Sequence, residues 1–221
     1  MRNLEEKFLY VVISKTPTKF GKAIRKVGKL KYNHSAIALD KELESLYSFA
    51  RKKHKVLLTG RLVKENMIRY TLNRTDTVDS VIFRIPVTEK QYDMVQNIIF
   101  DVKNDKEYIY NLISVLTYPI TNGLSIYKAF SCIEFVMYVL KKIGFEISHP
   151  ICSYRPDDLL SIFPEYIYFQ GNLLDYKHPN NDSSDYFAPL NITDIKESAI
   201  ALMQLFIRIF IDGNTVYENG I

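Results

Sequence analysis

Two cysteines in 221 residues are too few for a disulfide framework, so this chain must be held by its core, and a reducing compartment is the expected setting. The start, Met1-Arg2-Asn3-Leu4-Glu5-Glu6-Lys7, is charged and lacks the apolar stretch and small-residue cleavage site of a secretory signal, which makes cytoplasmic residence the expectation. The longest apolar run, Ala199 to Ile211, is interrupted by Gln204 and Arg208 and falls short of the ~20 residues that span a bilayer. There is no Walker loop, no G-x-G-x-x-G and no internal repeat, so nothing points to a nucleotide cofactor, and no cofactor is expected. What is present is a hydrophobic fraction of 47%, enough to bury one ordinary domain. Residues 1–176 read as that domain, and 177–221 as a polar linker followed by a helical extension.

Charge is unevenly placed. Between Lys15 and Lys64 fourteen bases meet three acids, Asp40, Glu42 and Glu44; from Glu65 onward thirteen bases meet twenty acids. A positive half of this kind attracts an anionic substrate or surface, or is a solvated face. No stacking aromatics are interleaved with the charges as in single-strand binders, so no specific nucleic-acid partner is expected.

The most sharply bounded segment is Ser131 to Gly144. Ser131 and Glu134 have the S-x-x-E spacing of a capping box, Lys141 and Lys142 oppose the negative end of the helix dipole, and Gly144 can take the left-handed conformation that closes a last turn. Cys132 then sits in the first turn, where free amides and the dipole favour a thiolate. It also lies on the apolar stripe with Phe135, Val136, Val139, Leu140 and Ile143, so this helix alone fits a core cysteine equally well. A nucleophile requires a base.

Of four histidines, His54, His149 and His178 fall in polar connections, and His54 is expected to face solvent. His34 opens a strand, Asn33 to Asp40, with small neighbours Ala36 and Ala38 on its own side. The strand expected over Leu46 to Ala50 forms a hairpin with it, which makes Ser48 the first candidate to orient the imidazole and Glu44, near the turn, the second. A metal site built from His149, Cys152 and Cys132 lacks a second ligand pair, and no metal is expected.

Elsewhere, Phe8 to Ile13 reads as a mid-sheet strand. Thr18 caps a helix with Phe20, Ile24 and Val27 on one face, closed by Gly28, and Val56 to Val63 holds a short strand around Gly60. Val78 to Val87 is a strand ended near Pro86, and Thr88 with Gln91 boxes a helix on Tyr92, Val95, Ile98, Ile99 and Val102. Tyr108 to Leu116 is expected to be helical, Tyr118 to Gly123 a turn, Tyr166 to Gly171 a last strand, and Thr193 to Phe210 an amphipathic helix able to make a dimer contact. The fold class is therefore α+β, an antiparallel sheet packed against the cysteine-bearing helix.

The Asn33-His34-Ser35-Ala36-Ile37-Ala38-Leu39-Asp40 strand, Tyr47-Ser48-Phe49-Ala50 and, much later, Ser131-Cys132-Ile133-Glu134-Phe135-Val136 together resemble the circularly permuted branch of the papain-like NlpC/P60 superfamily, the group of YiiX-like proteins related to lecithin retinol acyltransferase. In that branch the histidine strand precedes the cysteine helix. The resemblance covers about Phe8 to Tyr176, and Pro156-Asp157-Asp158-Leu159 and Gly171-Asn172-Leu173 look similar to the end of the domain. It implies a permuted papain-like fold and a cysteine hydrolase of peptidase or amidase type, or a lipid or peptide acyltransferase, with a peptide, amide or acyl-ester substrate. It implies Cys132 as nucleophile, His34 as base and Ser48 as third member, although the branch commonly has a carboxylate, amide or histidine at that third place. A binding or scaffold protein of the same fold is the non-catalytic alternative.

Overall fold

The computed structural model describes residues 6–56, 59–73, 77–178 and 185–210. Parts of the expected strand over Val56 to Val63 and most of the expected linker fall on residues 57–58 and 179–184, outside the described residues. The chain is a mixed α+β structure around a six-stranded antiparallel sheet. Its strands are β1 (Lys7–Ser14), β2 (His34–Ala38), β3 (Leu46–Arg51), β4 (Gly60–Lys64), β5 (Asp79–Val87) and β8 (Ile167–Asn172), in the order β4-β3-β2-β1-β5-β8. Ile109–Tyr110 (β6) and Ala129–Phe130 (β7) form a separate short parallel pair.

β1 is central because Leu9 to Ile13 are apolar on both sides, which only a strand covered on both faces can bury. Leu9, Val11 and Ile13 face a core shared with two helices, α3 (Glu89–Asn104) and α5 (Cys132–Lys142). Tyr10 and Val12 face a second core of Ala36, Ala38, Leu43, Leu46, Met67 and Tyr70, the last two carried by the short helix α2 (Met67–Thr71). α5 is buried on almost every side. Cys132 and every residue from Ile133 to Met137 are shielded, so the apolar stripe read in the sequence is in place. Both capping boxes form, Ser131 with Glu134 and Thr88 with Gln91. Pro86 lies past the stretch of β5 that pairs with β8, Asp79 to Phe83, so its missing N–H removes no bond on that side.

Three local expectations are corrected. Helix α1 (Lys19–Gly28), capped by Thr18 as expected, is closed by Lys29 in the left-handed region, φ 52°, and not by Gly28. Tyr108 to Leu116 is not one helix: Ile109 and Tyr110 pair with β7, and α4 (Leu112–Thr121) starts at the Asn111 cap and runs through Pro119 into the expected turn. It ends instead on two consecutive positive-φ residues, Asn122 and Gly123. His54 is not solvent-facing, because its ring packs against Tyr186 and Phe187.

After α6 (Leu159–Ile162) and α7 (Leu173–Tyr176), α8 (Ile192–Phe210) returns to the body of the protein. Its inner face buries Ala201 and Leu205, the latter among Ile109, Ile126 and Ala129, and the Arg208 guanidinium donates to the carbonyls of Tyr127 at 2.8 Å and Glu107 at 2.9 Å. Its outer face exposes Ile192, Ile195, Leu202, Met203 and Phe206. Among the described residues no helix is long and apolar enough to cross a membrane.

Gly60 is needed where β4 passes under Tyr110. A Cβ there would run into the Tyr110 Cβ and lie 2.7 Å from its Cγ, atoms that a buried ring on a paired backbone cannot easily withdraw. Gly60→Ala is expected to destabilise the protein by about 1–3 kcal/mol in urea denaturation, while the same change at Gly144, whose neighbourhood is open, acts only through its φ of 99°.

Candidate active site

The start of α5 is fixed by bonds that the sequence made visible. The Ser131 amide donates to Glu134 Oε2 at 2.6 Å and the Glu134 amide to Ser131 Oγ at 3.4 Å. Asn111 adds a bond the sequence did not suggest: its Nδ2 donates to Glu134 Oε1 at 3.1 Å and to the Leu124 carbonyl at 2.8 Å, so the cap of α4 also holds the cap of α5. Burial raises the Glu134 carboxyl to about 7, against the opposing pull of Ser131 and Asn111. Cys132, the first residue of α5, is 8% exposed, and its amide is one of the first-turn N–H groups that no intrahelical carbonyl can reach.

His34, at the first position of β2, is brought to the sulfur. Its imidazole faces Cys132 across the mouth they share, and its Nε2 lies 2.9 Å from Glu65 Oε2. Burial alone would suppress the charge on all three groups. In Glu65 the His34 charge and hydrogen bond outweigh that penalty, with Arg69 and Tyr70 adding to them, and the carboxyl stays well below the usual carboxylate range. In His34 burial likewise opposes the charge, but Glu65 and then Cys132 overcome it and raise the imidazole well above its ordinary 6.5. The Cys132 thiol is held below its usual range, because hydrogen bonding to His34, the His34 charge and the Ser35 backbone amide together exceed the cost of burial. Each of the three groups is thus shifted toward its charged form.

Glu65 is the residue the sequence reading missed. Ser48 was expected in its place, and the structure does not bring Ser48 to His34: its buried hydroxyl has no hydrogen-bond partner among the described residues. β2 and β3 pair only as Ile37 with Tyr47 and Ala38 with Leu46, so the ladder ends before His34 and does not carry Ser48 to it. Glu44 lies at the hairpin turn, exposed, with its Oε1 2.8 Å from Lys177 Nζ. Glu65 follows β4, the next strand out, and its amide donates to Leu46 O at 2.8 Å. One signal was available: Glu65 is the sole carboxylate between Glu44 and Asp76, directly after the basic stretch.

Two clefts meet at the sulfur. One is polar, of about 570 Å³ with its mouth, and includes Thr16, Asn33, Arg51, Arg69 and Tyr186 beside His34 and Glu65. The other is apolar, of about 960 Å³ with its mouth, between α1 and α4, walled by Phe20, Ile24, Val115, Leu116 and Ile133. Tyr110 borders both, buried, and its phenol is raised above its ordinary value by burial first and by the nearby Cys132 charge second, so it remains a protonated donor. Cys152 lines the apolar cleft and His149 lies near it, its amide donating to the Tyr154 hydroxyl at 3.0 Å. Among the described residues no group of three or more His, Cys, Asp or Glu side chains is arranged to hold a metal. Compared with protein-family models, characterised proteins and solved structures, the chain matches none.

The pH dependence of stability tests the pair. Glu65, depressed in the folded state, contributes stability that is present above its ordinary 4.5 and is lost as pH falls through its folded value; His34, raised, contributes stability that is full below 6.5 and is lost as pH climbs through its folded value. Glu65→Gln leaves the imidazole without its charge partner and is expected to cost about 3–5 kcal/mol. In urea melts across pH, the gap between wild type and this variant is expected to be widest between those two ordinary values and to narrow on both sides.

Proposed function

We propose that the protein is a thiol-dependent acyl hydrolase or transferase in which Cys132 is the nucleophile, His34 the acid-base and Glu65 the group that orients and charges the imidazole. The observation that carries this is the buried series Cys132, His34, Glu65, with the sulfur at a helix start and open to two clefts. A cysteine that only filled core would need neither an imidazole on its sulfur nor a carboxylate behind that imidazole. The order along the chain, histidine strand, then acid, then cysteine helix, together with the antiparallel sheet, supports the resemblance to the permuted papain-like branch, with a carboxylate at the third place and supplied by the next strand.

In this reading the Cys132 thiolate attacks the carbonyl carbon of an amide, ester or thioester, forming the C–S bond and a tetrahedral oxyanion. The Cys132 backbone N–H, at the helix start, is one donor to it, and the hydroxyl of Tyr110, which lines both clefts, is the second. His34 gives its proton to the leaving amine, alcohol or thiol as the C–X bond breaks, leaving an acyl-enzyme. A water, or another acceptor, then loses its proton to His34 and attacks the thioester, and collapse returns the thiolate.

The apolar cleft favours a second specification within this class. A peptide substrate needs hydrogen-bonding groups along its path, whereas the wall beside the sulfur is almost wholly hydrocarbon, which suits a hydrophobic acyl group with its polar leaving part in the other cleft.

Intact-mass analysis after incubation with acetyl, butyryl and octanoyl p-nitrophenyl esters tests the reading. An acyl adduct on Cys132 is expected, faster with the longer chains, absent in Cys132→Ala, and formed about 10²–10³-fold more slowly in Tyr110→Phe. An adduct confined to Cys152, or none, contradicts it; adducts insensitive to chain length contradict only the hydrophobic-acyl part.

A further inference from the structure

The polar cleft is closed on one side by a residue from the far end of the chain. Tyr186 is 5% exposed and shares this cleft with His34, Glu65, Arg69 and Cys132. Its backbone carbonyl accepts from the His54 amide at 2.7 Å, and its ring lies 4.1 Å from the Arg69 guanidinium carbon. The helix that follows is fastened to the same turn of the sheet: Lys53 Nζ lies 2.8 Å from Asp194 and Lys52 Nζ 2.8 Å from Glu197, the first of these pairs largely shielded from water.

Arg69 is held on three sides. Its Nη2 donates to the Arg51 carbonyl, its guanidinium carbon lies over the Tyr186 ring, and its Nε faces Glu65 Oε1 at 3.6 Å, an ion pair too long for a hydrogen bond. The other carboxylate oxygen, Oε2, is taken by His34 and the Tyr70 hydroxyl. Glu65 Oε1 therefore relies on Arg69, and what fixes the guanidinium plane is a carbonyl on one edge and an aromatic face on the other. Planar stacking on an aromatic ring is a contact that arginine makes and an aliphatic side chain of similar bulk does not supply.

We propose that Tyr186 is a positioning residue for the acid of the catalytic series: by holding the Arg69 plane it sets the Glu65 carboxylate, and through it the charge on His34 and the reactivity of Cys132. On this view residues 185–210 complete the site. The proposal rests on the Cys132, His34, Glu65 reading. The charged and titratable groups that bear on it are His34 from β2, Arg51 from β3, His54 from the turn after it, Arg69 and Tyr70 from α2, and Tyr110 and Cys132 opposite.

The test is the pH profile of iodoacetamide labelling of Cys132 in the full chain, mapped by peptide mass so that Cys152 is scored separately. Wild type should label with a midpoint below the ~8.5 of an unperturbed thiol. Tyr186→Leu keeps apolar bulk without the ring face; its midpoint should rise, and labelling near pH ~7 should fall severalfold. Tyr186→Phe, which restores the ring, should return the midpoint to the wild-type value. Lost packing alone would lower stability and leave the midpoint in place. A Tyr186→Leu protein with a native circular dichroism spectrum and an unshifted midpoint overturns the proposal. Should that variant not fold, Arg69→Lys carries the same test: it retains charge without the planar fork, and an unshifted midpoint in it overturns the proposal equally. A wild-type midpoint at the ordinary thiol value overturns the nucleophile reading and this one with it, whereas an unshifted variant beneath a lowered wild-type midpoint overturns this one alone.

Discussion

The contact on which the rest of the site depends is the buried approach of His34 to Glu65, 2.9 Å apart with side chains 13% and 3% exposed. Two ionisable groups taken this far out of water are unfavourable singly and tolerable only as a satisfied pair. The surroundings supply that satisfaction: Tyr70 donates to Glu65 and stands edge-on to the imidazole, Arg69 closes the other oxygen, and Cys132 takes up the remaining side of the ring. Replacing such a pair with apolar residues is often neutral or stabilising, so the pair is weak evidence for cohesion and fits the catalytic role proposed above.

Geometry of this kind demands that three distant parts of the chain be rigid relative to one another. β2 brings the base, the first residue after β4 brings the acid, its amide tied to the Leu46 carbonyl of β3, and α5 brings the thiol. α5 packs on β2 and β3, and the bond from Asn111 to Glu134 joins its start to that of α4. Where α1 and α4 spread apart the walls are mostly hydrocarbon, and where β3, α2 and the segment around Tyr186 converge they carry Arg51, Glu65 and Arg69.

Much of this was legible in the residues because the signals are local. A cap box, a buried apolar run and a histidine among alanines are each decided within a few positions, so α5, β1 and the His34 strand were placed correctly, as was α3 on its Thr88 box. What was not legible depends on register and tertiary contact. Ser48 lies in the strand beside β2 and Glu65 just past the strand beyond that, and nothing in a hairpin's pattern says how far its ladder extends. Pro119 reads as a helix breaker, yet a helix capped by Asn111 and packed beside α1 carries it in its last turn. His54 sits in a run of lysines and reads as exposed, because the rings that shelter it come from residues 186 and 187.

The central claim is that Cys132 is a thiolate because His34 and Glu65 make it one. The ultraviolet absorbance of the thiolate, taken as a difference between wild type and Cys132→Ser across a pH titration and repeated on a Glu65→Gln background, measures this without any substrate. The account predicts that the Cys132 step lies below the ~8.5 of an ordinary thiol and moves upward when Glu65 is neutralised. A Cys132 step at the ordinary value, unmoved by Glu65→Gln, would contradict it.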